Sequence, residues 1–245
     1  MIMARDVLLY DIDGTLIRYG SGFTQLHHEA FSYGFREIYG LQIKLDGKNT
    51  SGKTDLQIIK ETLRGAGIRE EEIENSIPQM RDSMIKYFAK GIGKVDHRAN
   101  VIPTAIPVLE QLDRDPEIVQ GLVTGNLKEI ARMKLEAIGI WHYFKVGGFG
   151  ESSDTRPMLV AAALREAVDK GLIEMVHMAH VYVIGDTPRD ILCAKETGAV
   201  SVAVATGSSP KQELRRYSPN YLIDNLSELP SILRQRNLGG KKLKL

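Results

Sequence analysis

Short unbroken apolar runs recur along the chain, and most of them end on a polar residue or a glycine. Val7–Asp11 is the first and ends on a carboxylate. Ile118–Thr124, Lys145–Phe149, Val181–Gly185 and Ser201–Ala205 follow in the second half, and Tyr221–Ile223 is a candidate short sixth. A run without polar alternation is the pattern of a parallel strand covered on both faces. Between the runs, Leu127–Ile138, Met158–Val168 and Asp190–Thr197 place apolar residues at helical spacing, the last with Gly198 as its stop. Strands alternating with helices predict an α/β fold built on a doubly wound parallel sheet.

The interval after the first run has a different texture. Gln25–Tyr39, Asp55–Leu63 and Glu70–Phe88 read as helices, and only Leu41–Leu45 alternates in a weakly strand-like way. A mainly helical block placed after the first strand of a parallel sheet reads as an inserted domain. The expected division is residues 1–18 and 95–245 for the sheet domain, with 19–94 as the insert. Glycines flank it at Gly20, Gly22, Gly91 and Gly93, where a permissive backbone serves either a hinge or a simple turn.

Composition narrows the field mainly by exclusion. The formal net charge of +1 gives no global attraction for nucleic acid or an anionic membrane, so an anionic ligand has to be captured locally. One cysteine, Cys193, rules out an intramolecular disulfide and lies in an apolar helical context that suits a buried small residue. No stretch has the apolar length of a membrane span, and Met1–Asp6 lacks a secretory pattern, so the cytoplasm is the expected compartment. The basic tail Arg234–Leu245 reads as a solvated, frayed end, without the charge and aromatics of a nucleic-acid-binding segment. His27, His28, His177 and His180 lack companions at zinc-ligand spacing and read as surface or core histidines.

Chemistry concentrates at the ends of the apolar runs. Asp11 and Asp13 bracket one residue, so on an extended chain both carboxylates point the same way. Gly14 allows a tight turn beyond them, and Thr15 follows. A second acidic pair, Asp186 and Asp190, follows Val181–Gly185, with Pro188 suited to a first helical turn. Thr124, Gly125 and Asn126 combine a hydroxyl with backbone N–H groups at a strand-to-helix turn, a setting that holds phosphate oxygens. Arg156 precedes Pro157 at another helix start and offers a planar donor fork for an anion. Carboxylates gathered at one sheet edge repel, and a divalent cation such as Mg²⁺ relieves that repulsion. An EF-hand is not indicated, because Thr15 and Leu16 occupy the places its loop reserves for a ligand and a glycine.

The ordered set Asp11–Ile12–Asp13–Gly14–Thr15, then Thr124–Gly125–Asn126, then a basic residue before proline, then Gly185–Asp186 with Asp190, resembles the haloacid dehalogenase-like hydrolase superfamily. The likeness covers most of the chain and includes a helical cap after the first motif, as in the branch of phosphoglycolate phosphatase-like and β-phosphoglucomutase-like proteins. It implies a Rossmann-like core and a Mg²⁺-dependent phosphatase acting on a small phosphorylated metabolite. Asp11 would attack phosphorus to form an aspartyl-phosphate, and Asp13 would act as general acid and then base. Thr124 would bind the transferring group, with Gly14, Thr15, Gly125 and Asn126 around the phosphate. The metal would sit on Asp11, the carbonyl of Asp13, and Asp186, with Asp190 as direct or outer support. The family's third motif usually carries lysine; here Arg156 stands in that place. A carboxylate at Asp13 favours phosphate esters over halides, because a halide leaves without an acid.

A rival motif lies inside the insert. Gly47–Thr54 matches the phosphate-loop pattern in full, which would make the chain a nucleotide-binding enzyme. The stretch before it alternates instead of running apolar, and the motif would leave Asp11, Asp13 and Asp190 unexplained. Within the phosphatase reading, Lys53 and Thr54 instead contact a substrate carboxylate or second phosphate, or form a surface loop with a helix cap. A phosphomutase of the same superfamily stays open, as does the oligomeric state, monomer or weak dimer.

Overall fold

The computed structural model describes residues 6–45, 47–174 and 178–240. Met1–Asp6 therefore lies almost wholly outside it, as do His177 and the last residues of the basic tail.

Six parallel strands form one sheet in the order β3-β2-β1-β4-β5-β6: β1 (Asp6–Tyr10), β2 (Ile118–Thr124), β3 (Val146–Phe149), β4 (Val181–Gly185), β5 (Val200–Val204) and β6 (Tyr221–Ile223). The chain steps from β1 to β2 to β3 in one direction and from β4 to β5 to β6 in the other. The order therefore reverses between β1 and β4, where an open α/β sheet leaves a crevice beyond its carboxyl ends. Register is set by burial. Val7 and Leu9 enter the apolar cluster on one face, and Leu8 and Tyr10 enter the cluster on the other. A slip of one residue would exchange both faces.

Helices cover both sides. In chain order they are α1 (Gly22–Tyr39), the single turn α2 (Gly47–Thr50), α3 (Asp55–Gly65), α4 (Glu70–Gly91), α5 (Ala105–Asp113), α6 (Lys128–Ala137), α7 (Arg156–Asp169), α8 (Pro188–Thr197), α9 (Lys211–Arg216) and α10 (Leu229–Gly240). Buried residues of α7 and α8 pack with Val119, Val123 and Val183. Those of α5, α6 and α10 pack with Leu8, Leu122 and Ile184. The apolar stripes of α1, α3 and α4 join this second cluster through Phe23, Phe31, Phe35, Ile59 and Phe88.

Two expectations change here. Residues 41–45 form no strand; Leu41, Ile43 and Leu45 pack against the helical cluster, so their alternation records burial without a ladder partner. The tail is helical as far as Gly240 in α10, anchored by buried Leu229, Ile232 and Leu233, instead of fraying from residue 234. Helix α5 was not anticipated, because Pro107 in its first turn masks the stripe of Ala105, Val108, Leu109 and Leu112. Among the described residues, no helix is long and apolar enough to cross a membrane.

Candidate active site

Asp11 extends β1 by one residue, its N–H donating to the Ile184 carbonyl at 2.9 Å. Asp186 directly follows the last residue of β4, and the two carboxylates meet across the crevice. Asp11, Asp186 and Asp190 are all buried and offer oxygens within 4.8 Å of one another. Gly14 turns the chain away at φ +97°, and a side chain there would overlap the Asp186 carboxylate. Burial is the largest influence on Asp11. Arg156 opposes it, Asp190 and Asp13 reinforce it, and the carboxyl is pushed up to about 6. Burial, then Asp190 and Asp11, hold the Asp186 carboxyl well above the ordinary range, despite hydrogen bonds from Ser208.

The free valences of this cluster are uneven. Asp190 spends one oxygen on Arg156 and the other on the N–H and hydroxyl of Thr187, at 3.0 and 2.7 Å, closing a capping box at the start of α8. Asp186 Oδ2 accepts from the Ser208 N–H at 2.7 Å, while its Oδ1 is buried with no partner among the described residues. An orphaned carboxylate oxygen is costly unless something cationic meets it. The donor set is hard oxygen, which suits Mg²⁺. Asp11 and Asp186 fit as ligands, with Asp190 as the carboxylate that orients Thr187 and Arg156.

Arg156, at the first position of α7, is buried, 7% exposed. Its Nη2 lies 3.4 Å from Asp11 Oδ1 and pairs with Asp190, and it also donates to the Val123 carbonyl at 3.3 Å. Burial works against its charge, but Asp190 and Asp11 outweigh that and raise its pKa. Nη1 reaches out of the sheet domain to the Gly52 carbonyl at 3.2 Å.

Asp13 sits in separate company that the sequence did not disclose. Lys134 of α6 is 0% exposed, and its ammonium donates to Asp13 Oδ2 and Oδ1 at 2.7 and 2.9 Å. It also donates to Asn126 Oδ1 at 2.7 Å and faces His27 Nδ1 at 3.4 Å. An ammonium only donates, so His27 accepts through Nδ1 and donates through Nε2 to Asp55 Oδ2, 3.0 Å away. Burial pushes the Asp13 carboxyl up. The charge and hydrogen bond of Lys134, with the Asn126 amide adding, outweigh it and hold the carboxyl below the usual range. The signal for Lys134 was present in the sequence: it lies on the buried stripe Ile130, Ala131, Lys134, Leu135 of an amphipathic helix. A charge is almost never placed on such a stripe without a partner.

Thr124 and Asn126 lie at the end of β2 beside this group. Thr124 Oγ1 accepts from Asn126 Nδ2 at 2.8 Å, and the same amide donates to Asp13 at 2.9 Å. The Asn126 side chain is thereby committed to the protein network. Thr15 is fully buried, and its hydroxyl has no partner among the described residues.

The segment matching the phosphate-loop pattern borders this cavity without the expected chemistry. Gly47–Thr50 is one helical turn, with no sheet strand before it. The Lys53 ammonium pairs with Glu61 at 2.6 Å, away from the carboxylates, and Thr54 caps α3 by accepting from Gln57 N–H at 3.1 Å. What the segment brings to the site is backbone. Asp55 N–H donates to the Gly125 carbonyl at 2.7 Å, and a side chain on Gly125 would overlap the Lys53 carbonyl. The enclosed space among Asp11, Asp13, Gly52, Gly125 and Arg156 is about 70 Å³.

A buried cluster of three carboxylates and an arginine, set at the switch point of a parallel sheet, defines an α/β enzyme of the Rossmann-like hydrolase class. A profile of the HAD-hydrolase-like family matches residues 154–229. Together with the relatives below, this match supports a haloacid dehalogenase-like hydrolase similar to the phosphoglycolate phosphatases. It is 23% identical to a phosphoglycolate phosphatase of Vibrio parahaemolyticus, over 93% of this chain and 95% of that protein. It is 24% identical to the pyrophosphatase PpaX of Anoxybacillus flavithermus, over 93% and 96%. The fold matches the crystal structure of a β-phosphoglucomutase from Clostridium difficile with a TM-score of 0.70 at 16% identity, over 99% of this chain and 100% of that one.

Proposed function

We propose that this chain is a Mg²⁺-dependent phosphatase of small phosphorylated metabolites, with Asp11 as nucleophile and residues 19–94 as a cap over the site. The observation that carries the reading is the division between two carboxylates two residues apart. Asp11 faces Arg156 and the unpartnered oxygen of Asp186, whereas Asp13 is held by Lys134 and Asn126. The two carboxylates therefore divide by position: Asp11 stands in the cluster that can hold a metal, and Asp13 stands apart from it, where an acid/base for the departing and attacking oxygens has to be.

Asp11, as the carboxylate, forms a bond to phosphorus as the ester P–O bond breaks, and the departing oxygen takes the proton that Asp13 carries into the step, which leaves Asp13 ionised beside Lys134. A water then attacks the aspartyl-phosphate and gives its proton to Asp13, which restores Asp11 and releases phosphate. Arg156 offsets charge on Asp11 and the phosphoryl oxygens. Thr124 Oγ1 already accepts from Asn126, which leaves its own proton to donate to the phosphoryl group. Bound Mg²⁺, held by Asp11 and Asp186, supplies charge neutralisation and orients the phosphate. Lys53 and Thr54 have no part in this scheme, and a mutase reading has no observation in its favour.

The test is phosphate release from a panel of phosphomonoesters with and without Mg²⁺, for wild type and Asp11→Asn. Metal-dependent release that disappears in the variant is expected. Release that survives Asp11→Asn would sink the nucleophile assignment.

A further inference from the structure

The enclosed space around the carboxylates accepts a phosphoryl group and little else, so any larger alcohol has to extend beyond its walls. Tyr19, Thr24 and His28 line that space and also line a second, open cavity of about 590 Å³ on the outward face of α1. Thr24 is buried at this shared wall, and its hydroxyl has no partner among the described residues.

The second cavity has a recognisable chemistry. Tyr33 and Tyr87 pack with ring centroids 4.9 Å apart, and the Arg36 guanidinium sits 5.5 Å over the Tyr33 ring. Neither Arg36 nor Lys44 has a carboxylate within ion-pairing distance among the described residues, although both line the cavity. Among the described lining residues the acid is Glu29, with its oxygens on Gln25 at 3.2 Å and on Tyr87 at 3.4 Å. Thr24 and Arg36 are separated along α1 by roughly 18 Å at the helical rise. The groove is long, π-faced and cationic at its far end. Another groove, over α8, also adjoins the phosphoryl site, across the hydrogen bond between Ser51 and Ser208 at 2.7 Å, and its lining includes Arg189.

We propose that the α1 groove is the leaving-group site, and that it takes an extended phosphomonoester whose alcohol carries an aromatic ring and a second acidic group. The inference rests on the phosphatase reading and deepens it. Tyrosine faces stack on a ring, and an unpaired arginine and lysine meet the distal anion. A two-carbon acid reaches none of them.

Coenzyme A, whose ribose phosphate is a monoester on an adenine nucleoside bearing a diphosphate, is the long probe, and phosphoglycolate is the short one. Wild type, Arg36→Glu, Tyr33→Ala and Arg189→Glu are compared for kcat/KM on both. Binding of coenzyme A to Asp11→Asn, with and without Arg36→Glu, is measured by calorimetry. Arg36→Glu is expected to lower kcat/KM for coenzyme A by about tenfold, as for a lost charged contact, with phosphoglycolate unchanged. The binding arm should show the same loss. A wild-type preference for phosphoglycolate, equal effects on both probes, or loss confined to Arg189→Glu would overturn the assignment. Coenzyme A binding that responds to Arg36→Glu without any turnover would instead uphold the groove and count against the phosphatase reading.

Discussion

Asp11 and Asp13 are near neighbours with opposite titration. Asp11 is pushed up to about 6 by burial, so between the ordinary carboxylate value of 3.8 and about 6 the folded chain holds a proton that the unfolded chain releases. Stability contributed by this group therefore falls as pH rises through that window, and the penalty is complete at neutral pH. Asp11→Asn removes it. Without metal, the variant is expected to be the more stable protein near neutral pH by on the order of 2 kcal/mol, while catalytically dead. The two proteins should converge in acid. Thermal unfolding across pH reads both. Lys134 works in the other direction. Lys134→Met leaves Asp13 partnered by Asn126 alone and should cost about 3 kcal/mol or more, read by denaturant unfolding. The same change lets the Asp13 carboxyl rise, so the pH–rate profile of surviving activity should move to higher pH.

Among the elements, the sheet was legible because a buried parallel strand leaves an unbroken apolar run, as in Val7–Tyr10 and Val181–Ile184. The carboxylates were legible because they stand where those runs stop. Residues 41–45 misled because alternation marks one buried face and is indifferent to whether a ladder exists. The linkage of Lys134, His27 and Asp55 was not legible for a different reason. They lie far apart in sequence and acquire meaning only when α1, α3 and α6 converge on one point. Docking of the α3 start depends on Gly125, whose hydrogen takes the place where a Cβ would strike the Lys53 carbonyl. Gly125→Ala should cost roughly 1–3 kcal/mol. Faster hydrogen exchange should appear first at the amides of Asp55 and Leu56, which donate to the Gly125 and Gly150 carbonyls.

At the scale of the whole molecule, the carboxylate cluster is a stress that a cation removes. The proposed Mg²⁺ site exists only in the folded chain, so Mg²⁺ at about a hundredfold over its Kd should raise stability by about 2.7 kcal/mol, reversed by a chelator. Asp186→Asn should abolish the rise, because it takes away the oxygen that no protein group satisfies.

The closure over the phosphoryl site is made of main chain: the Gly52 carbonyl on Arg156, the Asp55 amide on Gly125, the Leu56 amide on Gly150. On the 52–56 segment these three contacts use only backbone atoms, so they do not depend on the side chain at position 53. Residue 53 can be lysine or almost anything else and the lid still seats, so that loop is open to variation while the glycines facing it are not. On the leaving-group site proposed for the outer face of α1, surface substitutions there should change substrate preference and leave the carboxylate cluster intact beneath.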